Sequence, residues 1–104
     1  MIIKKVSDIY MPYDLPASYT GIVYNDDYDV AIYHNGALNT SLMPSIITSL
    51  KKEWYVCNKL HREDGTAIEY YAGRKFWFYN GKLIGQDCEF DVSSWKRYVD
   101  LSLF

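Results

Sequence analysis

Apolar and aromatic residues recur along the chain in short blocks at a nearly constant step. Residues 54–60 are followed 23 positions later by a similar block at residues 77–83, and an earlier version occupies residues 32–38. A second block keeps this step, because residues 44–47 precede their counterpart at residues 66–69 by 22 positions. A fixed step of this length predicts an internal repeat whose units stack on one another. We expect the repeat region to span about residues 14–85.

Each unit has the pattern of a strand, a tight turn and a second strand. Asn35-Gly36 and Asn80-Gly81 match the type I′ turns that join hairpin strands, since Asn and Gly accept a positive φ. The middle unit carries Cys57-Asn58 at the same place. Because Cys tolerates a positive φ poorly, we expect that turn to be distorted or shifted by one residue.

Strand composition is clearest in residues 66–71, which lie between the turn-forming pairs Asp64-Gly65 and Ala72-Gly73. The turn-forming run Asn25-Asp26-Asp27 separates residues 21–24 from residues 28–33. They therefore predict a further hairpin near the beginning of the repeat region.

Residues 43–54 fit two different structures. Met43, Ile46, Ile47, Leu50 and Trp54 follow the spacing of an amphipathic helix. The alignment of repeats instead pairs residues 44–50 with residues 66–72, and β-branched side chains suit a strand. We favour the strand and keep the helix as the alternative.

The last part of the chain predicts a short helix over residues 93–99, with a serine at its N-cap and apolar side chains at Trp95, Tyr98 and Val99. We expect this helix to cap an open end of the sheet. The predicted fold is therefore mainly β, an antiparallel sheet of consecutive hairpin repeats with a short C-terminal helix. Residues 1–104 form one domain, in which residues 86–104 are the cap.

Composition limits the class of protein. The 104 residues are 49% apolar, 23% charged and 17% aromatic, as expected for one folded domain. The net charge of −2 argues against a dedicated nucleic-acid binder, which needs a dense basic face. Apolar runs are too short for a membrane span, so we expect a cytoplasmic protein. Cys57 and Cys88 lack the number and spacing of a disulfide framework or a zinc site, and reduced thiols are expected.

The motifs Trp54-Tyr55, His61-Arg62, Asp64-Gly65 and Asn80-Gly81, with residues 67–70, resemble MORN-type repeats. The similarity is greatest to the variant found in uncharacterised proteins of large tailed phages and giant viruses. It covers roughly 70 residues by the alignment of repeats. The resemblance implies stacked hairpins in a twisted antiparallel sheet, and a role as a scaffold or adaptor. The resemblance is better evidence for the fold than for the function.

Candidate chemistry is sparse. His61 with Glu63 and Asp64 is compatible with acid–base catalysis, but these residues belong to the repeat motif, where they can support turns and pair charges. Phosphate-binding loops and paired metal ligands do not occur in the sequence. We therefore expect a protein that is not an enzyme, with no catalytic residue, metal or cofactor.

Aromatic residues are the better candidates for a binding site, because Tyr, Trp and Arg contribute much of the energy of protein interfaces. The repeat is expected to place side by side a partner-binding surface formed by Trp54, Tyr55, His61, Arg62, Trp77 and Tyr79. The predicted function is a protein-binding module, a phage accessory protein that binds a host bacterial protein such as a defence factor and blocks it sterically. The alternatives are a scaffold that self-associates, including a homodimer through sheet edges, and nucleic-acid binding.

Overall fold

The computed structural model describes residues 2–12, 15–87 and 90–102. Within these residues the chain forms eleven strands and one helix. The strands are β1 (Ile2–Lys5), β2 (Gly21–Tyr24), β3 (Val30–His34), β4 (Ala37–Leu38), β5 (Ile46–Ile47), β6 (Lys51–Glu53), β7 (Tyr55–Val56), β8 (Lys59–Leu60), β9 (Ile68–Tyr70), β10 (Lys75–Tyr79) and β11 (Lys82–Gln86), and the helix is α1 (Val92–Ser102). Asp14, the predicted start of the repeat region, and Cys88 lie outside the described residues.

Most strands belong to one sheet in the order β1-β2-β3-β5-β6-β9-β10-β11, with β4 also beside β3, while β7 and β8 form a separate ladder. The pairs are antiparallel, except for β1 and β2, which run parallel. The fold is therefore mainly β with consecutive antiparallel strands and a short C-terminal helix, as predicted. The parallel strand β1 was not predicted.

Three two-residue turns close the hairpins β3–β4, β7–β8 and β10–β11. Both central residues have positive φ in each turn, with values of 50° and 81° at Asn35-Gly36 and 48° and 84° at Asn80-Gly81. The middle turn has 49° and 65° at Cys57-Asn58. It therefore has the same form and register as the others, and the expected distortion or shift is wrong. Its cysteine occupies a conformation that Asn or Gly adopts more readily.

The turns are stacked through one recurring backbone hydrogen bond. In each turn the second residue donates its N–H to a backbone carbonyl of an earlier segment of the chain. These bonds run from Gly36 to Tyr19 O (2.8 Å), from Asn58 to Leu38 O (3.0 Å) and from Gly81 to Leu60 O (2.8 Å). Each turn is thus held by the segment before it, at the 22- and 23-residue steps seen in the sequence.

Residues 43–54 contain the hairpin of β5 and β6. The strand that we favour for this segment is therefore confirmed, and the helical alternative is wrong. The strands are shorter than the sequence predicts because the chain turns at Thr48, whose N–H donates to Lys51 O over 2.9 Å. The Thr48 hydroxyl also accepts from the N–H groups of Leu50 and Lys51. A threonine that supports a turn ends the strand sooner than strand propensity alone suggests.

The strand register divides side chains between two faces of the sheet. We call the front face the one on which paired positions carry Val23, Ala31, Ile46, Glu53, Ile68 and Phe76. The back face carries Tyr24, Val30, Ile47, Lys52, Glu69 and Lys75. Trp77 lies two residues after Lys75 in β10 and therefore belongs to the back face.

Residues 6–12 and 15–19, which we call the covering segment, cover the front face at its N-terminal half. Ile9 is 1% exposed and packs in a core cluster with Val23, Ala31 and Ile46. The Tyr33 hydroxyl donates to Ile9 O over 2.8 Å and fixes the covering segment on the sheet. Residues 6–12 of this segment lie outside the predicted repeat region, yet they help to complete the first half of the core.

Helix α1 covers the back face at the opposite, C-terminal end. Trp95 is 2% exposed, and its ring centroid lies 5.4 Å from that of Trp77. Asp91 caps the helix by accepting from the Ser94 N–H over 2.8 Å. The helix therefore begins before the predicted residue 93, because the carboxylate of Asp91 rather than a serine satisfies its first turn.

The Cys57-Asn58 turn yields a stability prediction. Cys57→Asn should raise the free energy of unfolding by about 0.5–1 kcal/mol, because Asn adopts a positive φ at lower cost. Cys57→Ala is the matched control and should give no such gain. Chemical denaturation of the three proteins measures the difference, and an equal gain for Ala and Asn would contradict this account of the turn.

Candidate interaction surface

The structure brings four of the six predicted binding residues into two contacts. The Arg62 guanidinium carbon lies 3.9 Å from the ring centroid of Trp54. The His61 ring meets the Tyr79 ring edge to face, with centroids 4.6 Å apart. Trp54 and His61 are buried, and Arg62 is half-buried. These contacts are therefore largely internal.

His61 supports a turn. Its Nδ1 accepts the N–H of Asn80 over 2.9 Å, at the start of the β10–β11 turn. An acceptor nitrogen carries no proton, so the neutral ring holds its proton on Nε2. Nε2 lies 3.6 Å from the exposed carboxylate of Glu63. Thr20 plays the corresponding part in the first turn, where its hydroxyl accepts the N–H of Asn35 over 2.9 Å. The arrangement matches the structural role that the sequence favours over catalysis.

Trp77 and Tyr79 lie under helix α1. Trp77 is buried against Trp95, and Tyr79 is half-buried, with its ring centroid 5.7 Å from that of Tyr98. Their edge-to-face and tilted geometry is favourable for aromatic pairs. The six side chains therefore do not form one accessible surface. Arg62 lies over Trp54, α1 packs on Trp77 and Tyr79, and Tyr55 lies in a different cluster.

Tyr55 belongs to a separate polar cluster on the front face. The Tyr10 hydroxyl donates to Glu53 Oε2 over 2.6 Å, the Tyr55 hydroxyl donates to Oε1 over 3.4 Å, and Lys51 Nζ lies 3.6 Å from Oε1. Glu53 is only 3% exposed. Burial is the largest cause that raises the pKa of both tyrosines. The hydrogen bond to Glu53 and the negative charge of Glu53 raise it further. Sequence reasoning missed Glu53, which looks like one more surface acid in a lysine-rich stretch.

The front face changes from buried to accessible along the sheet. Tyr33 and Leu38, paired in the first hairpin, are 6% and 5% exposed. Their counterparts in the last hairpin are Phe78, which is half-buried, and Leu83, which is 46% exposed. The difference follows from the covering segment, which packs only on the first half of the sheet. We call the residues left accessible the open front patch, which consists of Leu60, Ile68, Tyr70, Phe76, Phe78 and Leu83.

Two classes of site are not supported within the described part of the chain. No group of three or more His, Cys, Asp or Glu residues there is arranged to hold a metal ion. No helix there is long and apolar enough to cross a membrane.

Comparisons with protein-family models, with characterised proteins and with solved structures find no match to this chain. The similarity to MORN-type repeats therefore stays a prediction from the sequence motifs.

Tyr79 separates a structural from a binding role. Tyr79→Ala should lower the free energy of unfolding by about 2–4 kcal/mol, because it empties the space between His61, Trp95 and Tyr98. Thermal and chemical denaturation measure the change. An unchanged melting temperature would show that the ring is not part of the packing under α1.

The Tyr10–Glu53 contact predicts an alkaline dependence of stability. The raised pKa keeps the Tyr10 hydroxyl neutral in the fold at a pH where an unfolded tyrosine ionises, so its contribution is present below pH about 10 and is lost as the pH rises further. Tyr10→Phe should cost about 1–2 kcal/mol at neutral pH, because Tyr10 is partly exposed and the lost bond is to a carboxylate.

The same substitution should make the loss of stability above pH 10 less steep. Tyr28→Phe is the control, since Tyr28 is 80% exposed and should change neither quantity. Denaturation curves recorded across the alkaline range test both effects, and identical curves for the two variants would contradict a role for Tyr10 in holding the covering segment on the sheet.

Proposed function

We propose that this protein is a non-enzymatic protein-binding module that acts by covering a surface of its partner. The observation that carries the proposal is the open front patch. Its apolar side chains continue the core of the first half of the sheet, and none of them belongs to the core cluster that the covering segment forms with Tyr33 and Leu38. Accessible apolar patches of this kind are typical of protein interaction sites.

The chemistry of the patch suits a protein partner. It combines aromatic rings with aliphatic side chains, which supply much of the energy of interface anchors. Cations lie over two of the rings: Lys51 Nζ is 5.4 Å from the Tyr70 centroid, and the Arg74 guanidinium carbon is 5.0 Å from the Phe76 centroid. Such a border of stacked cations gives an interface a polar rim around an apolar centre.

Steric blocking is the mode of action that agrees with this geometry. His61, the candidate for acid–base chemistry, is occupied by its contact with the Asn80 N–H, so recognition rather than a reaction is the simplest role for the surface. The identity of the partner as a host bacterial protein, and of this chain as a phage accessory protein, rests on the resemblance to MORN-type repeats.

Self-association is the second candidate, and β1 supports it. Ile2 and Ile3 are 58% and 63% exposed at the outer edge of the sheet. An edge strand with accessible apolar residues is a template for pairing with another strand, although Lys4 and Lys5 at its end oppose this. Light scattering separates the candidates: large homo-oligomers favour the scaffold, and a monomer or dimer favours the binding module.

Leu83→Glu tests the open front patch. The substitution should weaken capture of the partner from a bacterial lysate by roughly 1–4 kcal/mol, because a charge is placed within an apolar contact. Its effect on stability should be small, since Leu83 is 46% exposed. Val92→Glu is the matched control, because Val92 is 67% exposed on α1, away from this face.

Binding and melting are to be measured on the same preparations. Retention of full binding by the Leu83 variant, or equal losses in both variants, would remove the open front patch as the binding site. If both variants capture a partner at low salt and both lose it when the salt concentration is raised, the result would instead favour the nucleic-acid alternative.

A further inference from the structure

The back face of the sheet carries accessible apolar side chains at its N-terminal half, on the opposite side from the covering segment. The register places Ile3 beside Ile22 and Ile22 beside Ile32 on this face. Ile3 is 63% exposed, and the other two are half-buried. None of these residues belongs to either core cluster of the described chain. We call the apolar part of this face the back surface, which consists of Ile3, Ile22, Tyr24, Val30, Ile32 and Ile47.

The turn between β2 and β3 extends the back surface. Tyr28 is 80% exposed, and its ring lies nearly parallel to that of Tyr24, with centroids 6.3 Å apart. Ile47, on the far side of β3, is 37% exposed. Accessible aliphatic and aromatic side chains that adjoin across several strands are typical of an interaction surface. The back surface therefore indicates that another layer packs on it.

One row of the back face has a charge pattern that identifies this layer. Its residues are direct neighbours on consecutive strands, in the order Lys5, Tyr24, Val30, Ile47, Lys52, Glu69 and Lys75. If a second copy of the row is laid on the first in reverse order, Val30 falls opposite Ile47. Tyr24 then falls opposite Lys52, and Lys5 opposite Glu69. An apolar contact, a cation–π contact and a pair of opposite charges result, and all three are favourable.

The neighbouring registers bring like charges together. If the reversal is centred on Val30, Lys5 falls opposite Lys52. If it is centred on Ile47, Lys5 falls opposite Lys75, and Val30 falls opposite Lys52. Of these three registers, only the one centred between Val30 and Ile47 avoids these contacts. Accessible charge pairs add little to affinity, but like charges disfavour the wrong register, so the row selects one arrangement.

We propose that the back surface binds a second copy of this chain, so that two sheets pack face to face in a two-fold symmetric dimer. The axis runs parallel to the strands and passes between β3 and β5. An interface on a two-fold axis uses the same residues of both copies, which is why a self-complementary row is its signature. Sheets packed in this way lie about 10 Å apart.

The two covers of each copy stay outside this interface. The overlap extends along the sheet from β1 to β9, whereas α1 packs on the last hairpin, β10–β11. The covering segment lies on the front face. The open front patches of both copies therefore face outwards, and the dimer is independent of the proposed protein-binding role.

Ile47→Lys and Val30→Asp test the centre of the interface. Sedimentation of the unchanged protein should give a dissociation constant on the order of 10 μM, because strands of two to five residues offer only a small face. Each substitution should weaken the dimer by about tenfold or more, since a charge then faces an apolar side chain. Leu83→Lys is the matched control, with 46% exposure on the front face, and should dimerise normally. Circular dichroism and melting curves show whether the variants are folded.

A mixture of the two variants tests the register. In a mixed dimer the two substituted side chains face each other as a pair of opposite charges, and the second contact is the unchanged one between Ile47 and Val30. The mixture should therefore form dimers at a concentration where each variant alone is monomeric. The proposal is overturned if the unchanged protein is monomeric up to about 1 mM. It is also overturned if Ile47→Lys leaves the dimer intact, as pairing through the β1 edge predicts, or if the mixture associates no better than its components.

Discussion

One backbone hydrogen bond, from the second residue of a two-residue turn to the carbonyl of the preceding segment, sets the arrangement of the sheet. It recurs at Gly36, Asn58 and Gly81. The bond requires a left-handed backbone at the turn, which explains why even Cys57 adopts a φ of 49°. Because each of these three turns is fixed on an earlier segment, the hairpins β3–β4, β7–β8 and β10–β11 are held at a nearly constant step along the chain.

A single sheet has two faces, and this chain covers them at opposite ends. The covering segment lies on the front face of the first half, whereas α1 lies on the back face of the last hairpin. Between these covers, the Arg62 guanidinium lies over Trp54, much as Trp95 of α1 packs against Trp77. The open front patch therefore lies on the half of the front face that the covering segment leaves uncovered.

The sequence predicts the local elements and misses the long-range contacts. Turn chemistry at Asn35-Gly36 and Asn80-Gly81 identifies the hairpins, and the alignment of repeats correctly selects a strand at Ile46. The burial of a side chain is not predicted in this way, because the sequence shows the same aromatic residue whether or not another segment covers it. The covers of Trp54 and Trp77 come from a loop and a helix, and the partner of Glu53 is Tyr10, 43 residues away. Parallel pairing of β1 has no local signal either, since its partner β2 lies across the covering segment.

The stacking of turns is tested most directly by amide hydrogen exchange of individual residues, measured by NMR. The account predicts that the N–H groups of Gly36, Asn58 and Gly81 exchange slowly, with protection similar to that of Val23 and Ala31 in the central strands, because each is hydrogen-bonded to the preceding segment. The Gly73 N–H, which donates to Tyr70 O within its own exposed turn and not to an earlier segment, is the internal reference and should exchange faster than the three stacked turns. Exchange of the three turn amides at the rate of an unprotected loop would contradict the stacked arrangement.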